Sequence, residues 1–320
     1  MRAPLLLPVL TALLATACSS TPKTSPPPKA PAARETRAES ASKGRSRGER
    51  CDHCGEPLSG NSVIFEHRPL HERCLAKVVP PCGICRKPLL GMIAMVGPGP
   101  GYHEHCFAGA HRCDACSLPA EGERGGVVTL DDGRRHCGEC AACAVTDAAE
   151  ARSLAKQVIH DLRRILAVDI RRMSWTLKLV DSPELKRIAG SDRDGIKGWT
   201  DARRRVRRGR ASPWEVTVYI LEKEPSGAVY GVLAHELFHL WQLHNAPLNV
   251  RAELREGAAN WVQWRLLKAR GVALWPLLLE ADPDPVYGDG FRRFQRFVAR
   301  HGWPRTLDRM SRMTDFPDSD

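Results

Sequence analysis

Pairs of metal-binding residues recur between residues 51 and 143, and they constrain the fold more than any other feature of the chain. Each pair leaves two residues between its members, and 16, 17 or 20 residues separate the two pairs of a set. Two ligands at this spacing lie on one tight turn, and the loop between the pairs returns the second pair to the same ion. The sets are Cys51, Cys54, His71 and Cys74; Cys82, Cys85, His103 and Cys106; and Cys113, Cys116, Cys137 and Cys140. We therefore predict three structural zinc sites of four ligands each.

A disulfide framework is the alternative for this cysteine-rich segment, above all in an exported protein. Histidine, which cannot form a disulfide, takes the matching ligand position in two of the three sets. The segment holds 11 of the 12 cysteines, and this odd number leaves Cys143 over, although Cys143 or His136 could exchange into the third site. Large apolar residues are sparse here, and a core this small needs a cross-link such as a bound metal ion or a disulfide. These features favour zinc.

The N-terminus predicts a targeting signal and a tether. One early cation precedes an apolar run over residues 3–17, which is too short to span a bilayer. Small residues come directly before Cys18, as in a bacterial lipobox; the alternative is an ordinary secretory signal with a chance cysteine. The lipobox implies a lipoprotein signal peptide over residues 1–18, a lipid anchor on Cys18, and a place in the bacterial cell envelope, at the outer membrane. Residues 19–50 are rich in Pro, Ala, Ser, Lys and Arg and predict a disordered tether.

The formal net charge of +11 raises the question of a nucleic-acid partner. Residues 1–50 carry nine basic and three acidic side chains, so more than half of the excess lies in the leader and tether. Six arginines occur at 202–210, where a solvated loop and a contact for an acidic partner or anionic lipid are both open. The cysteine-rich modules contain no basic recognition helix, and we expect no nucleic-acid partner.

Two histidines lie four residues apart in the stretch AHELFHLWQL, residues 234–243. Apolar residues continue from Ser226 and predict one helix, on which His235 and His239 project from the same face and can meet one ion. Glu236 lies between them, displaced around the helix, where it can reach a water beside the metal. The five-residue pattern is weak alone, and the alternative is a core helix with two buried, hydrogen-bonded histidines.

A second helix, predicted over residues 252–271, offers a third ligand. A loop containing Pro247 lets the two helices run antiparallel, so that Glu256 can approach both histidines. Asn260 is one turn further along the same face, where its carboxamide oxygen could accept the outer N–H of a ligand histidine. The alternative for Glu256 is a solvated carboxylate stabilised by the helix dipole.

Residues 175–180 and 214–221 predict strands. The second strand alternates apolar and polar residues and comes just before the histidine-bearing helix. A strand beside a binding site can pair with an extended peptide, so residues 214–221 are expected to set the register of such a substrate.

These motifs carry resemblances to known families. The second and third ligand sets, with the stretch GYHEHCF at 101–107, resemble a LIM domain, although six residues rather than the usual two separate Cys106 from Cys113. The His-Glu-x2-His helix followed by Glu256-Gly257 is similar to the gluzincin class of zinc peptidases. With LAHELFHLWQL, REGAANW and YGDGFR, the chain resembles the DA-one family, LIM-containing zinc metallopeptidases best known from plants, where ubiquitin activates them.

The resemblance implies an α+β fold. Small zinc-stapled, LIM-like β-hairpin modules are expected over residues 51–146. A mainly α-helical, zincin-like peptidase domain with a small sheet is expected over residues 147–320.

The resemblance also implies a function, a membrane-tethered zinc endopeptidase whose LIM-like fingers bind or position a protein or peptide substrate. The family's catalytic zinc would be held here by His235, His239 and Glu256, with Glu236 as the general base. Candidate donors to the developing oxyanion are Tyr287, Arg292 and His301. The alternative is a catalytically inactive, LIM-type protein-binding adaptor.

We predict about four zinc ions per purified chain, three structural and one catalytic, because the sequence provides four ligand sets. Elemental mass spectrometry on protein prepared without chelators measures the ratio. A metal-free preparation whose cysteines resist alkylation would instead establish the disulfide framework.

Overall fold

A computed structural model describes residues 50–58, 62–96, 99–191, 195–207 and 210–317, without side chains for 206, 207, 210 and 211. The predicted signal peptide, Cys18 and the tether up to residue 49 lie outside the described residues. The predicted α+β class is confirmed: small hairpin modules come first, and a mainly helical region with a small sheet follows. In the described part of the chain, no helix has the length and apolar character needed to cross a membrane.

Each cysteine-rich module is an antiparallel hairpin followed by a short helix. Module 1 contains β1 (Ser62–Phe65), β2 (Arg68–His71) and α1 (Glu72–Val78); module 2 contains β3 (Ile93–Ala94), β4 (Tyr102–His103) and α2 (Glu104–Gly109); module 3 contains β5 (Val127–Thr129), β6 (Arg135–Cys137) and α3 (Gly138–Ala142). The third ligand ends the second strand and the fourth lies in the helix that follows. One ligand pair is thereby held by a single strand-to-helix junction.

The first ligand pair of every module lies on the same tight turn. The carbonyl of the first cysteine accepts a hydrogen bond from the residue four positions on, at 2.8, 3.0 and 2.7 Å for Gly55, Arg86 and Ser117. These three residues have positive φ angles of 73°, 64° and 61°. The repeat read from the ligand spacing is therefore also a repeat of backbone conformation.

Modules 2 and 3 pack against each other despite the long spacer between them. The Gly83 carbonyl accepts a hydrogen bond from the Glu123 N–H at 3.1 Å, and Arg86 pairs with the Glu123 carboxylate. Gly122 lies so close to the Gly83 carbonyl that a Cβ there would overlap it. These contacts define the relative placement that the unusual Cys106–Cys113 spacing left open.

The helical region is built around α6 (Ser226–Asn245), which is buried on most of its faces. It packs against α4 (Ala148–Leu166), α7 (Ala252–Ala269) and the sheet. The remaining helices are α5 (Ser182–Ala189), α8 (Leu274–Glu280), α9 (Gly288–His301) and α10 (Trp303–Met310). Buried Asp161 of α4 accepts hydrogen bonds from Tyr230 of α6 and from Arg270 beyond α7, both at 2.9 Å. This carboxylate joins α4 to α6 and to the end of α7.

The sheet has the strand order β7–β11–β8, with β7 (Thr176–Val180) parallel and β8 (Gly198–Arg203) antiparallel to β11 (Glu215–Leu221). A separate short hairpin pairs β9 (Val206–Arg207) with β10 (Arg210–Ala211). The predicted strands at 175–180 and 214–221 correspond to β7 and β11. The expectation that residues 214–221 pair with substrate is wrong, because β11 is the central strand and already bonds to a neighbour on each side. The edge strand nearest α6 is β8.

Helices α7 and α9 come into backbone contact at two glycines. A Cβ on Gly257 would lie 2.9 Å from the Gly290 Cα, and a Cβ on Gly290 would overlap the Glu253 carbonyl. Glycine at both positions lets the backbones touch, and this contact fixes the turn of α7 that carries Glu256. The glycines Gly257 of REG and Gly290 of YGDG are thus explained by helix packing.

We predict that Gly290→Ala destabilises the helical region by about 1–3 kcal/mol, because the added methyl group meets backbone that cannot move away. All eight tryptophans lie beyond residue 147, so their fluorescence in a urea titration reports unfolding of this region. Gly109→Ala is the control, since a Cβ there has no neighbour within 4 Å. Equal urea midpoints for the two variants would contradict the packing argument.

Candidate metal centre

The two histidines of α6 and the glutamate of α7 meet at one point. The Nε2 atoms of His235 and His239 lie 3.0 Å apart, and Glu256 Oε2 is 3.2 Å from the first and 3.1 Å from the second. The helical spacing of four residues sets the two imidazoles edge to face, with ring centroids 4.7 Å apart, and antiparallel α7 brings the carboxylate across. All three residues are buried or nearly so. The structure therefore brings together the three residues proposed from the sequence.

The donor set fits a zinc ion. Ligands bound at about 2.0–2.1 Å in a tetrahedron are separated by roughly 3.3–3.4 Å, close to the three distances observed. Two imidazole nitrogens and one carboxylate oxygen, with the fourth direction left to solvent or substrate, are typical of catalytic zinc sites. Four-ligand closed sites, by contrast, are structural.

The charge states of His239 and Glu256 depend on each other. Burial opposes protonation of His239, but the Glu256 carboxylate outweighs it and raises the pKa of the ring to about 9. Burial also opposes ionisation of Glu256, yet the rings of His239 and His235 hold its pKa far below its usual value. The carboxylate is therefore anionic at neutral pH and available as a ligand.

A glutamine orients one of the histidines. His239 Nδ1 lies 2.7 Å from Gln242 Oε1, and Gln242 Nε2 donates to the Arg255 carbonyl at 3.0 Å. This arrangement fixes the ring with Nε2 toward the centre. The Asn260 Nδ2 donates to the Tyr287 carbonyl at 3.1 Å, a contact of the amide nitrogen, and the orienting role predicted for the Asn260 carboxamide oxygen stays a prediction. Gln242 lies three residues from His239 on the same helix, and that spacing could have revealed it.

The Glu236 carboxylate is held by the edge strand. Thr200 of β8 donates its hydroxyl to Glu236 Oε2 at 2.8 Å. Gly198, at the start of the same strand, lies so close that a Cβ there would be 2.7 Å from Glu236 Oε1. Glu236 is 6% exposed and lines the same cavity as the three candidate ligands. Neither Thr200 nor Gly198 was singled out from the sequence.

A cavity of about 720 Å³ opens beside this centre, between β8 and the helices. Tyr287 lines it and stacks near His235, with ring centroids 6.5 Å apart. Arg292 is held elsewhere, since its Nη1 donates to the carbonyls of Glu280 and Asp282 at 3.2 and 2.8 Å. His301 packs on Phe297 at a centroid distance of 4.5 Å. Of the three candidate oxyanion donors, the structure brings only Tyr287 to the cavity.

The twelve predicted ligands of the cysteine-rich modules form three clusters. Within each cluster, the ligand atoms all lie within 4.8 Å of one another. His71 and His103 turn Nδ1 toward a cysteine, at 3.4 Å in both modules. Their Nε2 atoms face the carbonyls of Pro57 and Pro88 at 3.1 and 3.0 Å. A proton on Nε2 leaves Nδ1 free to bind metal. The clusters could thus hold the predicted structural ions.

The third cluster consists of four cysteines, so neither Cys143 nor His136 has exchanged into it. Burial opposes ionisation of Cys51 and Cys82, but backbone N–H groups lower the pKa of each thiol to about 6. Hydrogen bonding to Cys116 contributes most to the lowered pKa of Cys113, also about 6. The leading cysteine of every module is therefore readily converted to the thiolate that metal binding requires.

Comparison with known proteins indicates a peptidase-like domain. A family model described as "Peptidase of plants and bacteria" matches residues 210–277, which include the histidine pair and Glu256. Protein DA1-related 1 of Arabidopsis thaliana is 24% identical over 340 residues, covering 83% of this chain and 61% of the relative. Protein DA1 of the same plant is 23% identical over 337 residues, covering 84% and 63%. The chain spans about three fifths of the length of these curated relatives.

No solved structure matches the chain significantly. The sequence similarities confirm the predicted resemblance to a DA1-like zinc peptidase. They do not bear on the bacterial lipoprotein prediction, which stays a prediction.

Gln242→Leu is expected to lower zinc affinity at the α6–α7 site by about 10-fold to 100-fold, because His239 loses the acceptor that orients it. Zinc titration in the presence of a chromophoric chelator, after mild chelation has stripped this site, measures the affinity. Gln157→Leu is the control, an exposed glutamine bonded to Arg270. Unchanged affinity in Gln242→Leu would show that the contact is incidental.

Proposed function

We propose that the protein is a zinc-dependent endopeptidase. His235, His239 and Glu256 hold the catalytic ion, and Glu236 is the general base. The observation that carries this proposal is the triangle of ligand atoms at 3.0–3.2 Å, with the Glu236 carboxylate on the wall of the same cavity. The family match over residues 210–277 supports it.

Each residue has a distinct task in peptide hydrolysis. A zinc ion at the centre supplies Lewis acidity, which polarises the scissile carbonyl and makes water more acidic. Glu236 accepts the proton of the attacking water and later delivers it to the leaving amine. Thr200 keeps the Glu236 carboxylate turned toward the cavity through the 2.8 Å hydrogen bond. Tyr287, which lines the cavity, is the residue that we propose donates to the oxygen that gains charge.

The substrate is an extended segment of a protein or peptide. Among the residues that the structure describes, β8 pairs with a strand, β11, on one side only, and residues of β8 line the cavity. An extended peptide can add to such an edge through main-chain hydrogen bonds. One part of the cavity wall is apolar and formed by Leu243, Leu248, Val250, Leu254, Met310 and Met313. We expect an apolar substrate side chain to occupy this part.

The zinc modules bind or position the protein substrate, as the LIM resemblance implies. Lipidation of Cys18 would tether the enzyme to a membrane of the bacterial cell envelope, at the outer membrane, with the tether giving it reach. Nucleic acid is not an expected partner. These parts of the proposal rest on the sequence patterns described above.

Glu236→Gln is expected to reduce cleavage of an unfolded substrate such as casein by about 100-fold to 10,000-fold, because the amide cannot accept the proton. Fluorescence release from labelled casein measures the rate, and zinc analysis establishes that the ion is retained. Glu253→Gln, a change to a partly exposed carboxylate of α7 paired with Arg251, is the control and keeps its activity.

The same variant separates the enzyme from the inactive adaptor. If Glu236→Gln and the unaltered protein show the same residual cleavage while both contain zinc, the adaptor is the correct assignment. If the unaltered protein cleaves casein and Glu236→Gln does not, mass spectrometry of the fragments tests the expected preference for apolar side chains.

A further inference from the structure

A buried carboxylate outside the metal centre joins the cysteine-rich modules to the helical region. Glu224 is 1% exposed and lies between β11 and α6. Its carboxylate accepts hydrogen bonds from Arg134 Nη1 of module 3 at 2.7 Å and from Lys197 Nζ at 2.9 Å. Burial opposes its ionisation, but Lys197 and His136 lower the pKa of Glu224 to about 2. A buried charge of this kind is tolerated only while its partners stay in place.

Lys197 reaches across to a zinc-binding turn. Its ammonium donates to the carbonyls of Asp114 and Ala115 at 3.3 and 3.0 Å. These two residues lie between Cys113 and Cys116, the first ligand pair of module 3. The three donors of one ammonium therefore connect Glu224 to the backbone of the turn that holds the third cluster.

The same lysine is the residue directly before β8. Its own carbonyl accepts a hydrogen bond from the Leu221 N–H at 2.9 Å, which continues the pairing with β11. The next residue, Gly198, packs on the Glu236 carboxylate, and Thr200 donates to that carboxylate. Only two residues, 198 and 199, thus lie between the contact with module 3 and the hydrogen bond that orients Glu236.

We infer that Lys197 is a positioning residue which links the zinc-binding turn of module 3 to edge strand β8 and thereby holds the Glu236 carboxylate in its working orientation. This inference rests on the proposed function for its catalytic consequence. It makes module 3 part of the active site's support, in addition to any part that it takes in binding substrate.

A merely stabilising contact would act differently. Loss of a general interdomain contact lowers the free energy of unfolding without changing the turnover of the molecules that remain folded. Loss of the Lys197 contact loosens β8 in the folded protein, so the backbone of 198–203 exchanges faster and kcat falls.

Lys197→Met tests the inference, since methionine keeps much of the aliphatic stem and removes the three donors. We expect faster hydrogen–deuterium exchange at 198–203 and a kcat lowered by about 10-fold to 100-fold, with zinc content and circular dichroism unchanged. Lys223→Met is the matched control. Lys223 also pairs with module 3, through Asp131 at 2.8 Å, but that carboxylate is 94% exposed and the residue is not part of β8. Its kcat and its exchange at 198–203 stay at the level of the unaltered protein.

A double-mutant cycle separates a path through Thr200 from a parallel effect. If Lys197 acts through β8 on the Thr200–Glu236 hydrogen bond, then Thr200→Val and Lys197→Met together lower kcat by less than the product of the single effects. Multiplicative effects would overturn the proposed path.

The exchange measurement needs no activity, so it distinguishes this inference from the proposed function. Unchanged exchange and kcat in Lys197→Met, with an active parent enzyme, would overturn the inference and leave the peptidase assignment intact. If Lys197→Met does not fold, the near-isosteric Glu224→Gln decides, because it weakens the hold on the same ammonium. Faster exchange at 198–203 in Glu224→Gln supports the link, and parent-like exchange rejects it.

Discussion

One carboxylate facing two imidazoles is the interaction on which the rest of this structure depends. Glu256 is 7% exposed and lies 3.1–3.2 Å from both histidine rings, so α6 and α7 are held at one separation and in one register. Buried anions need partners of opposite charge or a metal. The close approach of Gly257 and Gly290 packs α7 against α9. This packing fixes the position of the turn of α7 that carries the Glu256 carboxylate. The packing of α6, α7 and α9 therefore also determines the geometry of the metal centre.

Local spacing explains why so much of the metal chemistry could be predicted from the sequence. Ligands three or four residues apart, such as Cys51 and Cys54 or His235 and His239, share one turn, and the backbone fixes their relation wherever that turn lies in the fold. Glu256 was found because a short connection between two helices makes them neighbours. Asn260 was placed on the right helix, but the hydrogen bond from its amide nitrogen to the Tyr287 carbonyl could not be predicted from periodicity.

Contacts between distant segments could not be predicted in this way. In the sheet order β7–β11–β8, strand β8 lies at the edge although it comes before β11 in the chain. It carries Thr200, which bonds to Glu236 from 36 residues earlier in the sequence. The sequence indicated β11 instead because it lies next to α6 in the chain. Lys197 carries no motif at all. Its importance arises only from the meeting of module 3, Glu224 and β8, and that meeting depends on tertiary packing.

Diffraction from crystals at the zinc absorption edge tests the central claim most directly. The account predicts an anomalous peak within about 2.0–2.2 Å of His235 Nε2, His239 Nε2 and a Glu256 carboxylate oxygen. Peaks in the three cysteine-rich modules of the same crystal serve as an internal standard for occupancy. Peaks in those modules, with none between α6 and α7 after growth in zinc-containing buffer, would contradict a metal centre shared by the two helices.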